Sequence, residues 1–147
     1  MTAPPITIVG GGLAGLGLGL GLRRQGILVT LHEAARYPRH VVCGEFIAGV
    51  SPRTLDALGL ADALAKALPL DRVVWYRRGE RIRTDRLPRP ALGIARADLD
   101  AQLASRLRDS GATVIEGTRS AETDEPGRVH CHGRRPSTAS PWTGLKA

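Results

Sequence analysis

From Gly15 to Leu22 glycine and leucine alternate without a break, inside the longer stretch VGGGLAGLGLGLGLRRQG that runs from Val9 to Gly26. Such a stretch is a low-complexity tract, a strand with one bare face, or a helix carrying far more glycine than helices favour. A strand would present a face of nothing but glycine, which weakens pairing and leaves nothing to pack. Wound at about 100° per residue, the segment separates instead into distinct sets. Gly12, Gly15, Gly19 and Gly26 fall within roughly 60° of one another as a single bare stripe, while Leu13, Leu16 and Leu20 gather on another face. A helix is therefore the preferred reading. Gly17 and Gly21 lie off the stripe, each costs about 1 kcal/mol of helix propensity relative to alanine, and alanine at either position should stabilise the helix.

The flanks make this helix the middle of a larger unit. Ile6-Thr7-Ile8-Val9 is a short β-branched run after two prolines, and Ile27 to Leu31 is a second run that ends on His32-Glu33. Strand, glycine turn, helix and strand in about thirty residues is the βαβ unit. Within it, Gly10-x-Gly12-x-x-Gly15 fits the dinucleotide fingerprint: one glycine for the tight turn, one for close approach of a pyrophosphate, one for helix-to-strand packing. Gly10, Gly12, Leu13, Ala14 and Gly15 would then offer backbone to the phosphates, at a helix N-terminus whose dipole favours negative charge. Glu33, at the end of the second strand, stands where a carboxylate accepts hydrogen bonds from an adenosine ribose.

Further along, Ala34 to Ser51 has no clear period and is broken by Pro38 and Gly44, so it reads as a long loop, of a length that usually holds something. Ser51-Pro52 supplies an N-cap and an N1 proline for a helix through Leu58, and Gly59 separates it from a second helix expected over Ala61–Leu68. Arg72–Arg78 and Glu80–Arg86 read as two strands around Gly79. Leu99, Leu103 and Leu107, spaced by four, mark a helix over Ala97–Ser110 that Gly111 stops, and Thr113–Glu116 is a further short strand. From Gly117 onward the chain is polar and turn-rich.

At 147 residues, with 42% hydrophobic and 24% charged residues, the composition is that of one globular domain rather than a disordered chain. Net charge is +7, but no basic run exceeds two residues and arginine is spread from Arg23 to Arg135. That dispersion reads as a solvated surface with a few anion-binding side chains, and no nucleic-acid partner is expected. Cys43 and Cys131 make no disulfide framework, and neither they nor His32, His40, His130 and His132 fall in a metal-ligand spacing, so no metal is expected. The uncharged stretch Ala3 to Leu22 contains Pro4, Pro5 and the glycines, which make a poor membrane span. A reducing, cytoplasmic setting with no stable membrane insertion is the expectation.

The extended pattern Gly10-x-Gly12-x-x-Gly15-x3-Gly19-x6-Gly26, followed by Glu33, resembles the FAD-binding start of flavoprotein oxidoreductases, in the group of geranylgeranyl reductases, aromatic-ring monooxygenases and flavin halogenases. Tyr37-Pro38-Arg39 leading to Cys43-Gly44-Glu45 is similar to the reductases' loop that passes close to the flavin. Thr54 to Leu60 is similar to the helix and "LGL" turn that follow it. Arg96-Ala97-Asp98-Leu99-Asp100-x-x-Leu103 resembles the "R-x-x-L-D-x-x-L" helix, whose arginine contacts the FAD in the family. The likeness runs from residue 6 to about 117, and Gly133-Arg134 resembles a remnant of a second flavin motif in which His132 replaces an aspartate. Nothing resembles the family's later "GD" segment.

The resemblance implies an α/β fold: a Rossmann-like FAD/NAD(P)-binding domain with a parallel sheet and a partial β-rich extension. It implies an FAD-binding domain over residues 1–132, incomplete relative to the family, and a polar tail over 133–147 at the start of a missing substrate domain. It also implies FAD as cofactor, NAD(P)H as a possible electron donor, and reduction of an alkene or hydroxylation of a small organic substrate. Cys43 and Gly44 would lie near the flavin and Arg96 against a phosphate. The alternative is a non-catalytic module that binds NAD(P) or FAD. Catalytic side chains stay unassigned, because in such enzymes the cofactor performs the chemistry.

Overall fold

The computed structural model describes residues 5–43, 45–119 and the backbone of 128–130. Two sheets organise them. In the first, β1 (Ile6–Val9), β2 (Val29–Glu33), β6 (Thr113–Glu116) and β7 (Arg128–His130) run parallel in the order β6-β2-β1-β7. In the second, β3 (Phe46–Ile47), β4 (Leu68–Arg77) and β5 (Glu80–Gly93) run antiparallel in the order β3-β5-β4. The helices are α1 (Leu13–Arg24), α2 (Pro52–Leu58) and α3 (Arg96–Asp109). The α/β architecture with a parallel βαβ unit and a β-rich extension is the one expected from the sequence.

Register places the core. Ile8 pairs with Leu31 and Leu31 with Val114, so this row points to one face of the parallel sheet. There α1 and α3 cover it, and Ile8, Leu16, Leu31, Leu99, Leu103 and Leu107 lose all contact with solvent. The leucines spaced by four along α3 therefore meet the strands, as their period requires. Arg23 locks the ends of the two helices together: its Nε and NH2 donate to the Ser110 carbonyl at 2.9 and 2.8 Å, and NH1 to the Ile27 carbonyl at 2.9 Å.

The glycines of α1 divide by what they touch. A Cβ on Gly15 would overlap the Gly10 carbonyl oxygen, and one on Gly19 would come within 3.0 Å of the Leu107 side chain. These two let α1 lie directly on the β1 turn and on α3. Gly26 is not part of the stripe, because α1 ends at Arg24 and Gly26 turns the chain at φ +78° with nothing near it. Gly17 and Gly21 face Leu60 and Leu58, at 3.7 and 3.1 Å from a would-be Cβ. Their position against the α2 segment accounts for residues that the helical projection left without a role.

Other boundaries shift for local reasons. Ser51 caps α2 by accepting from the Thr54 N–H at 3.1 Å, Pro52 opens it, and Gly59 at φ +70° ends it. The helix expected over Ala61–Leu68 is a single 3-10 turn, Asp62–Leu64, because Leu68 and Pro69 are drawn into the ladder with Gly93 and Leu92. That ladder also carries β5 past Arg86 to Gly93, and pairs Phe46 and Ile47 within the stretch read as loop. The second parallel strand begins at Val29 rather than Ile27. Among the described residues no helix is long and apolar enough to cross a membrane.

Gly17→Ala should stabilise the chain by about 1 kcal/mol, since helix propensity is gained with an ordinary contact to Leu60. Gly15→Ala should destabilise it by on the order of 1–3 kcal/mol, because backbone must move. Urea denaturation of the two variants beside the wild type checks both signs.

Candidate functional site

The parallel sheet delivers β1 and β2 to one edge, and the glycine turn crosses it. Gly10, at φ +103°, turns the chain out of β1, with its N–H on the His32 carbonyl at 2.8 Å. Gly12 is the N-cap of α1, extended at φ −78° and ψ −176°, and it has no side chain to cap with. The first N–H groups of α1, at Leu13, Ala14 and Gly15, have no partner one turn back. Beside them, among the described residues outside its chain neighbours, a Cβ on Gly12 would meet only the Arg39 NH2, 3.6 Å away. Unspent donors, the positive end of the dipole and absent Cβ atoms together fit a phosphate group.

Glu33 ends β2 beside this turn and is 7% exposed. Its Oε2 accepts the Gly11 N–H at 2.6 Å and its Oε1 the Ala35 N–H at 2.9 Å, which leaves a lone pair on each oxygen for a hydroxyl. Gly11 is gripped from its other side by Tyr37, whose hydroxyl donates to the Gly11 carbonyl. A Cβ on Gly11 would strike the Tyr37 hydroxyl and come within 3.0 Å of the Glu33 Cβ. Burial first, then the Glu33 charge, pushes the Tyr37 phenol above its ordinary range. Glu116 completes this edge, accepting the Tyr37 N–H at 2.7 Å and an ion pair from Arg108.

A second charged cluster comes from α3. Asp100 has no solvent exposure, and Arg96 one turn earlier donates to both its oxygens, Nε and NH2 each at 3.0 Å. These bonds are the main reason the Arg96 guanidinium is held above its ordinary value, with Cys43 a minor contributor. Arg39 joins the cluster to the turn: its NH2 lies 3.5 Å from Glu33 and 3.8 Å from Asp100. Cys43 is exposed, and its Sγ accepts the Glu45 N–H at 3.2 Å.

Of the residues singled out from sequence, Gly10, Gly12, Leu13, Ala14, Gly15 and Glu33 converge on the turn. Arg96 reaches it through Asp100 and Arg39, and Cys43 lies on the Arg96 side. Gly44, Cys131, His132, Gly133-Arg134 and the 133–147 tail lie outside the described residues. Gly11, Tyr37, Arg39 and Asp100 were not singled out as site residues. Tyr37 and Arg39 stand in the stretch likened to the loop that passes close to the flavin, and Asp100 carries a signal of its own, as a carboxylate on the helix face of Leu103, Ala104 and Leu107 and one turn from Arg96. Among the described residues no cluster of His, Cys, Asp and Glu could hold a metal ion. An apolar cleft of about 250 Å³ adjoins the turn between Leu13, Ala14 and Leu18 of α1 and Ile47, Val50 and Leu55 opposite.

Residues 4–138 match the protein-family model described as FAD binding domain. Two 3-amino-4-hydroxybenzoate 2-monooxygenases of Streptomyces platensis, PtmB3 and PtnB3, are 43% identical over 63 residues and 35% identical over 103 residues. The alignments cover 43% and 70% of this chain but 16% and 24% of the relatives, so the chain spans less than a quarter of their length. The tetrameric form of 2-methyl-3-hydroxypyridine-5-carboxylic acid oxygenase superposes with a TM-score of 0.68 at 24% identity, over 80% of this chain and 32% of that one. The p-nitrophenol 4-monooxygenase PnpA from Pseudomonas putida DLL-E4 gives 0.66 at 22% identity, over 82% and 33%. These solved structures share the fold of the described residues.

Two outcomes follow from the charges. Asp100→Ala should cost about 3 kcal/mol, because it strips a buried partner from Arg96, and a urea midpoint measures it. The raised Tyr37 phenol stabilises the fold fully below the unfolded value of about 10 and progressively less above it. The stability advantage over Tyr37→Phe should therefore shrink as pH rises above about 10, read from paired denaturation curves.

Proposed function

Because the chain belongs to the FAD binding domain family, we propose that it holds FAD across the N-terminus of α1, as the cofactor-binding part of an aromatic-ring monooxygenase. The observation that carries this reading is the open N-terminal turn of α1 set beside a carboxylate with free lone pairs. The N–H groups of Leu13, Ala14 and Gly15 take the pyrophosphate, with Gly10 and Gly12 keeping side chains out of its way. Glu33 accepts the adenosine ribose hydroxyls while it goes on holding Gly11, so one side chain shapes the turn and reads the ligand. Arg96 supports a phosphate, and Cys43 lies alongside the flavin as wall rather than nucleophile. When bound, FAD supplies electron transfer and oxygen activation, with NAD(P)H as the reductant.

The substrate is a small aromatic compound, by analogy with the two curated relatives, both named as monooxygenases of an aminohydroxybenzoate. Their names favour oxygen transfer over alkene reduction. Residues 1–132 are the proposed cofactor-binding part and 133–147 its polar tail. A cytoplasmic setting suits a chain with two cysteines and a nucleotide cofactor. A second reading keeps the same turn: a module that binds NAD(P) or FAD at the open N-terminus of α1 beside Glu33 without turning over substrate.

Titration of the purified chain into FAD should give a saturable change in flavin fluorescence. Glu33→Gln should weaken binding roughly tenfold to a hundredfold, the worth of a charge-assisted hydrogen bond. Absence of saturation in the wild type would sink the FAD assignment, and tight NAD binding without flavin uptake would favour the non-catalytic module.

A further inference from the structure

Arg39 is held in place by charge and, among the described residues, makes no hydrogen bond. Its NH2 lies 3.5 Å from Glu33 Oε2 and 3.8 Å from Asp100 Oδ2, and its Nε is buried with no acceptor among the described residues. The two carboxylates have other donors. Asp100 takes both of its short bonds from Arg96, and Glu33 takes the N–H groups of Gly11 and Ala35. Arg39 thus receives neutralising charge from two sides, and its guanidinium stands 5.9 Å from the centre of the Tyr37 ring. Its planar fork of N–H donors is not used up by the described residues.

The fork is also placed. Among the described residues outside its immediate chain neighbours, a Gly12 Cβ would meet the Arg39 NH2 alone, at 3.6 Å, so the guanidinium overlooks the N-terminus of α1. Glu33, Asp100, Arg39 and Arg96 sum to no net charge, and a bare anion gains little from them beyond the helix dipole. A ligand that fits carries both chemistries at once: hydroxyls to donate to Glu33 and phosphate oxygens to accept from Arg39. That combination is the ribose and diphosphate of an adenosine diphosphate moiety.

We propose that Arg39 is a further cofactor-binding residue, which donates its guanidinium fork to the diphosphate of the dinucleotide while Glu33 and Asp100 hold it over Gly12. The inference rests on the FAD reading above. Bidentate donation from a guanidinium to phosphate oxygens is the contact its geometry suits, and a lysine ammonium cannot reproduce it.

The test uses the full chain, with FAD, ADP and adenosine as probes and Arg39→Lys and Arg39→Gln as variants. Arg39→Lys keeps a positive charge between the two carboxylates, and matching circular dichroism and melting curves establish that it is folded. The expected result is FAD and ADP binding weakened tenfold or more in both variants, with adenosine binding within twofold of wild type. Equal weakening for ADP and adenosine overturns the proposal, because Arg39 would then act on the Glu33 end. Unchanged ADP binding in Arg39→Gln, with wild type taking up FAD, overturns the proposal and leaves the FAD reading standing. Wild type that binds neither FAD nor ADP overturns the FAD reading, and this inference with it.

Discussion

Everything at the candidate site depends on one close approach, the backbone of α1 at Gly15 against the carbonyl of Gly10. With no Cβ between them, the helix starts directly at the end of β1, and its unpaired N–H groups arrive at the edge of the sheet. The same seating lowers Leu16 and Leu20 into the core and brings Gly19 against Leu107 of α3. Helix propensity is sacrificed along α1 to gain this proximity, and tertiary packing with the Arg23 clamp to Ser110 offsets the loss.

The turn itself is held by side chains from distant parts of the chain. Glu33 fixes the N–H of Gly11 and Tyr37 its carbonyl, so neither of the two peptides flanking Gly11 can rotate without breaking one of these bonds. Glu116 fixes Tyr37 in turn, and Arg39 links Glu33 to the Asp100–Arg96 pair on α3. The site is thereby preorganised by β2, the loop after it, α3 and β6, with few contacts contributed by the glycine motif beyond its own shape.

How far this was legible in the sequence depends on the range of the interaction. The strand, turn, helix and strand of the βαβ unit, the α3 leucines and the hairpin around Gly79 follow from periods and turn residues, which act within a few positions. The 3-10 turn at Asp62–Leu64 and the short β3 do not, since each is set by pairing with β5 far along the chain. Glu33 and Arg96 could be singled out from spacing and resemblance. The grip on Gly11 could not, because Tyr37 is 26 residues away in sequence and is drawn in by Glu116, 79 residues beyond it. Asp100 was readable in principle, since a lone carboxylate on an apolar helix face needs a partner, and Arg96 stands four residues before it.

The β4–β5 hairpin stands apart from this economy. Leu68, Leu70, Val74, Trp75, Tyr76 and Ile82 are exposed on it, and among the described residues nothing pairs with the outer edge of β4. A long apolar edge of this kind is a template for pairing with any extended chain that meets it. Arginines recur from Arg72 to Arg89, and Pro88 and Pro90 remove donors from β5, so the hairpin carries its own deterrents to promiscuous pairing. Colloidal behaviour is therefore governed at the hairpin: salt that screens the arginines weakens their mutual repulsion and favours association of chains through β4.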